Sequence, residues 1–197
     1  MRVAVFVSGT GTILEAMFDA GVPISLVVAD RPCRGLTIAE SHAVEVLLLE
    51  RGPFGGFTPE FDRPRYSQAL ANAMAGTTID LIAMAGFGTV LSEEFHVAYP
   101  GRILNTHPSL LPAFKGWHAV QDALDAGATE TGCTVHVATV ALDEGPILAQ
   151  QAVSVAEGDT AETLQERIKQ VERTLYPATI MAALDRLHHN LPIAGEN

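Results

Sequence analysis

Cysteine is scarce in this sequence: Cys33 and Cys133 are its only two, far apart and outside any metal or redox spacing. A disulfide scaffold is excluded, a single disulfide is not, and the economical expectation is a reduced cytoplasmic protein. Basic charge is scarce as well. Only 12 Lys and Arg stand against 23 Asp and Glu, for a formal net charge of −11, and the basic residues never form a run. That speaks against a nucleic-acid partner or an anionic membrane surface. Met1–Gly11 is too short an apolar stretch for a signal peptide, and no later run approaches a membrane span. Repeats, linkers and low-complexity segments are missing too. What is present is 197 residues of 48% apolar composition, enough for one substantial core and cramped for two full domains. One domain is expected over residues 1–197, with a phosphate-binding half (1–100), a catalytic half (101–187) and a frayed tail (188–197).

Along the chain, apolar runs alternate with helical spacing. Val3–Val7 reads as a central parallel strand. The turn Ser8-Gly9-Thr10-Gly11-Thr12 breaks it, and Ile13, Leu14, Met17 and Phe18 then recur at helical spacing. Ile24–Ala29, Val46–Leu49, Leu81–Met84 and Ile103–Thr106 are further strands, with helices predicted over Leu36–His42, Arg65–Ala75 and from a cap at Ser92. This alternation predicts a doubly wound, mostly parallel α/β sheet of Rossmann-like form. Ser109–Trp117 is expected to be a mobile loop and His118–Ala126 a helix. Cys133–Thr139 and Ile147–Ser154 read as strands, and a long C-terminal helix is capped by Asp159 and kinked or interrupted at Pro177.

Three groups of residues carry chemistry. The first is the glycine turn, whose helix-start amides at Thr10, Gly11, Thr12 and Ile13 form a natural seat for an anion. It lacks the third glycine of a dinucleotide fingerprint and the lysine of a P-loop, which points to a phosphate monoester; a plain tight turn is the alternative. The second is ILNTHPSLLP at Ile103–Pro112, and the third is ALDEGP at Ala141–Pro146. Asn105 offers an oxyanion donor, His107 a proton donor and acceptor, and Asp143 a carboxylate to orient and charge the imidazole. Taken separately, each segment reads equally as a turn with a surface His or Asp. Seven histidines raise the question of a metal, but no pair has ligand spacing, so no metal is expected. His136 reads as a packed or edge histidine in an alternating strand.

Together, N-x-H-P-S-L-L-P and the later L-D-x-G-P-I turn closely resemble the formyltransferase family that uses 10-formyltetrahydrofolate, and the similarity runs from Arg2 to about Leu187. Within it, Ser8–Gly11 and the absence of extra domains are most similar to members that formylate glycinamide ribonucleotide in purine synthesis. The resemblance implies Asn105, His107 and Asp143 as the catalytic trio. It places the ribonucleotide at Thr10, Gly11, Thr12, Ile13, Pro108 and Glu172, the last of which spacing alone reads as an exposed helix carboxylate. It places folate at Phe87, Gly88, Thr89, Val90 and Leu91, at Asn105, at Thr139, Val140, Ala141, Leu142 and Asp143, and at an arginine, Arg63 by the spacing to Tyr66 or else Arg65.

This sequence departs from the family where Gly88-Thr89 replace Met-Arg and where Thr12-Ile13 replace Ser-Asn. The implied reaction is direct attack of the amine on the formyl carbon, in a monomer or homodimer without metal, nucleic acid or membrane. A formyltetrahydrofolate deformylase, a sugar-nucleotide formyltransferase and a non-catalytic nucleotide-binding module are the competing readings.

Overall fold

The computed structural model describes residues 1–195. The chain divides into two compact units, the first Met1–Ile103 and the second from Leu104 onward. Among the described residues, β3 (Glu45–Leu48), β2 (Ile24–Ala29), β1 (Val3–Val7) and β4 (Leu81–Met84) follow one another in that order across the first unit, and β5 (Ile103–His107), β6 (Glu130–Val137) and β7 (Ile147–Ser154) across the second.

The first unit is built from β1 (Val3–Val7), α1 (Thr12–Asp19), β2 (Ile24–Ala29), α2 (Arg34–Ser41), β3 (Glu45–Leu48), α3 (Arg63–Met74), β4 (Leu81–Met84) and α4 (Glu93–Ala98). β1 lies between β2 and β4 and is parallel to both. All five of its residues are buried, as an apolar, β-branched run covered on both faces requires. β3 pairs in parallel with β2 and is largely exposed. Phe6 packs edge-on against Phe87 and Phe95, which fixes the segment after β4 onto the middle of the sheet.

The second unit contains all of β5 (Ile103–His107) but its first residue, together with α5 (Ala119–Asp125), β6 (Glu130–Val137), β7 (Ile147–Ser154) and α6 (Ala161–His188). β6 pairs antiparallel with both β5 and β7, and the β6–β7 hairpin encloses the turn that bears Asp143. Leu164 and Ile168 of α6 pack on Cys133, Val120 and Val153, with Val171 and Leu175 extending the stripe. Both cysteines are free thiols, and burial pushes the Cys133 thiol up to about 12.

Two expectations about α6 are corrected. Its cap is Thr160, whose hydroxyl accepts from the Thr163 amide while the Thr163 hydroxyl accepts from the Thr160 amide. Asp159 instead accepts from the Ala156 amide and pairs with Arg167 at 2.7 Å. Of the two alternatives at Pro177, interruption is the one that fails, since the helix runs through it. Tyr176, Pro177 and Ile180 are buried there, which offsets the single backbone hydrogen bond the ring removes. No helix among the described residues is long and apolar enough to cross a membrane.

Candidate active site

Alternation along β5 puts Asn105 and His107 on one face and Thr106 on the other. The antiparallel register sets Asn105 opposite His136 and His107 opposite Thr134. His136 is almost fully buried, and its Nδ1 lies 3.0 Å from the Val137 carbonyl. With that nitrogen donating, Nε2 keeps the lone pair that accepts from Asn105 Nδ2, 3.3 Å away. Burial lowers the His136 pKa and keeps the ring neutral, against smaller opposing effects of the Val137 carbonyl and Asp143. The amide is thereby oriented, and its second N–H is left for another acceptor.

His107 is buried as well. Its Nε2 lies 2.7 Å from the Phe114 carbonyl and its Nδ1 lies 3.4 Å from Asp143 Oδ2. Both ring nitrogens therefore face oxygens that only accept. Asp143 accepts from the Gly116 amide at 2.8 Å and stands 3.7 Å from His136 Nε2. It holds a left-handed backbone conformation with φ 55°, two residues before Gly145. A Cβ on Gly145 would lie 1.7 Å from the Val137 carbonyl oxygen, so only glycine lets the turn close on β6. The three residues singled out in the sequence thus meet, and a fourth, His136, joins them. Nothing in its own segment marked His136, because its role comes from the pairing register of β5 with β6.

Pro108 and Ser109 follow His107 into a segment that was expected to be mobile and is instead anchored. Thr134 Oγ1 donates to the Ser109 carbonyl and accepts from the Leu111 amide, and Gln150 Nε2 donates to both the Leu111 carbonyl and Thr134 Oγ1. On the other face of β5, Thr106 donates a very short hydrogen bond to Glu172. Burial pushes the Glu172 carboxyl up, outweighing that hydrogen bond and the nearby Lys169 and Arg173. Glu172 is therefore a half-buried carboxylate inside the unit, not the exposed helix residue that spacing alone suggests. In the turn before Asp143, Thr139 donates to the Ala141 carbonyl, while Val140 and Leu142 leave their side chains exposed.

In the first unit, Gly11 is the N-cap of α1 with φ 73°, and no side chain caps the amides that follow. A Cβ on Gly11 would lie 2.6 Å from Ile38 Cδ1 and 3.1 Å from the Gly35 Cα, so the turn depends on glycine for both conformation and space. Arg34 braces it by donating to the Thr10 carbonyl at 2.7 Å and to Glu15. The amides of Thr12 and Ile13 belong to the first turn of α1, where backbone donors have no partner within the helix, while the Ile13 side chain itself is buried.

Phe87, Thr89 and Leu91 are buried, and Gly88 and Val90 are half-buried. Arg63 opens α3, and the Arg65 guanidinium lies over the Phe54 ring. Among the described residues, no group of three or more His, Cys, Asp or Glu is placed to hold a metal.

Residues 1–180 match the family described as formyl transferase. The chain belongs to the formyl transferase family. It is 42% identical to a phosphoribosylglycinamide formyltransferase of Mycobacterium tuberculosis, over 98% of this chain and 88% of that one. It is 35% identical to the Bacillus subtilis enzyme of the same name, over 93% and 94%. Among solved structures, a glycinamide ribonucleotide transformylase of Symbiobacterium toebii superposes with a TM-score of 0.84 at 38% identity, covering 92% of this chain and 86% of that one. This formyl transferase therefore shares with such enzymes the mostly parallel α/β architecture expected from its sequence.

Proposed function

We propose that this formyl transferase moves the formyl group of 10-formyltetrahydrofolate to the primary amine of glycinamide ribonucleotide, a step of purine synthesis. The observation that carries the reading is the convergence of Asn105, His107 and Asp143 on one face of β5 and the adjoining turn. The amine nitrogen attacks the formyl carbon, forming a C–N bond as the carbonyl electron pair moves onto oxygen. The second Asn105 N–H and the His107 Nε2–H donate to that oxyanion. Because Nε2 already donates to the Phe114 carbonyl, its transfer to the oxyanion is a gain made only as charge develops, which favours the transition state over the ground state. Asp143 holds the imidazole and takes the amine proton through water. Collapse breaks the bond to N10 of the folate, and that nitrogen takes up a proton.

In the same reading, the ribonucleotide phosphate docks on the amides of the Thr10–Ile13 turn, Pro108 lies against the ribonucleotide, and Glu172 binds near its amine. Folate lies along Phe87–Leu91 and Thr139–Asp143, with Arg63 near its acidic end. No metal takes part. The test is consumption of 10-formyltetrahydrofolate by purified protein with and without glycinamide ribonucleotide. Consumption that requires the amine supports transfer, whereas equal rates without it make water the acceptor and the protein a deformylase.

A further inference from the structure

Residues 88 and 89 are Gly and Thr, and an arginine from elsewhere in the first unit reaches that backbone. The Arg51 guanidinium donates from Nη1 to the Gly88 carbonyl at 3.2 Å and to Thr89 Oγ1 at 3.4 Å, while its Nε donates to the Gly56 carbonyl. Thr89 Oγ1 in turn donates to the buried Asp30 carboxylate at 2.7 Å. From the opposite side, the Gly88 amide donates to Ser8 Oγ at 2.6 Å. Both ends of this glycine are therefore held by side chains.

The arginine is itself immobilised. Its guanidinium lies 3.7 Å from the Phe61 ring centroid and 4.1 Å from that of Phe57, and Arg31 lies over Phe57 at 3.9 Å. Stacked planar guanidinium groups keep the fork in one orientation, which an ammonium cannot do. Arg31 pairs with Asp30 at 3.1 Å, and its Nη2 lies 2.7 Å from where a Gly88 Cβ would be. A Met in place of Gly88 would push Arg31 off that carboxylate. The short residue at position 88 and the arginine cluster thus go together.

We propose that Arg51 is a positioning residue for folate: through Gly88 and Thr89 it fixes the backbone of the Gly88–Leu91 segment. The inference rests on the reading above that this segment binds 10-formyltetrahydrofolate. The orphaned alternative, an arginine that only staples its own loop, has no reason to reach across to Gly88.

The test compares wild type with Arg51→Met and Arg51→Lys, confirmed folded by thermal melting, in steady-state kinetics and in hydrogen exchange of the segment 86–91. Loss of two hydrogen bonds should raise the KM for 10-formyltetrahydrofolate on the order of tenfold in Arg51→Met. A smaller rise is expected in Arg51→Lys, which keeps the charge and a single donor nitrogen. The KM for glycinamide ribonucleotide and kcat should stay within about twofold, and amide exchange at 86–91 should quicken. Unchanged exchange overturns the clamp, and faster exchange with an unchanged folate KM overturns its role in folate binding. An equal rise in both KM values overturns it as well, since that is loop destabilisation. Wild-type protein that fails to consume 10-formyltetrahydrofolate defeats the underlying functional reading, and that failure is visible before any variant is made.

Discussion

Asn105 Nδ2 lies 3.3 Å from Nε2 of its cross-strand neighbour His136, whose other nitrogen is committed to the Val137 carbonyl. The neutral ring thus fixes which way the Asn105 amide faces. Replacing His136 by Ala should lower kcat about five- to tenfold, the worth of one ordinary hydrogen bond, without the near-complete loss expected for Asn105→Ala. A kcat for His136→Ala within twofold of wild type would separate the two residues.

The same imidazole makes stability depend on pH. Its folded pKa lies below the usual 6.5 because burial disfavours the charged form, so the unfolded chain binds the proton more readily. Stability from this group is present above 6.5 and is lost as pH falls below it toward the lowered folded value. Thermal melts between pH 5 and 8 should show His136→Gln to be less acid-sensitive than wild type. Parallel curves would contradict this.

Glu172 has the opposite sign. Its pKa is raised from 4.5 by burial, so the folded form holds the proton more tightly. That stability is full below 4.5 and is lost as pH rises through the raised folded value. Above 4.5 the burial of this carboxyl is therefore a cost, which Glu172→Gln removes while keeping a partner for Thr106. The variant should melt higher than wild type at pH 7 and yet show a raised KM for the amine substrate. A lower melting temperature would mean that the carboxylate is structural.

Gly11 is the most exposed test of the phosphate seat. Gly11→Ala places a side chain at φ 73° and against Ile38 and Gly35, which costs about 1–2 kcal/mol for the left-handed backbone alone. The KM for the ribonucleotide should rise well above that for folate. A substitution that moves both KM values equally would detach the turn from phosphate binding.

How much of this was legible beforehand depended on whether the signal was local. Val3–Val7 and Leu81–Met84 are continuous apolar runs, Ile24–Ala29 and Ile147–Ser154 are apolar runs with polar interruptions, and each is a strand over those same residues. The meeting of Asn105, His107 and Asp143 was legible because they sit in two recognisable sequence motifs, at Ile103–Pro112 and Ala141–Pro146. His136 was not, since only the β5–β6 register brings it to Asn105. Arg51 was hidden for a similar reason, its partners Gly88 and Thr89 lying far along the chain. At α6, Asp159 and Thr160 are both good caps by type, and only the chain path decides that Thr160 caps while Asp159 binds Arg167.

The central claim, that His107 and Asp143 act as one unit on the formyl group, is tested most directly by kcat for His107→Ala, Asp143→Asn and the double variant. Each single change should cost about a hundred- to a thousand-fold, the scale of a lost oxyanion donor. With Asp143 proposed to act chiefly through the imidazole it faces at 3.4 Å, the double variant should cost far less than the product of the two single effects. Losses that simply multiply, or an Asp143→Asn enzyme turning over near the wild-type rate, would show that Asp143 is a turn residue and that the unit does not exist.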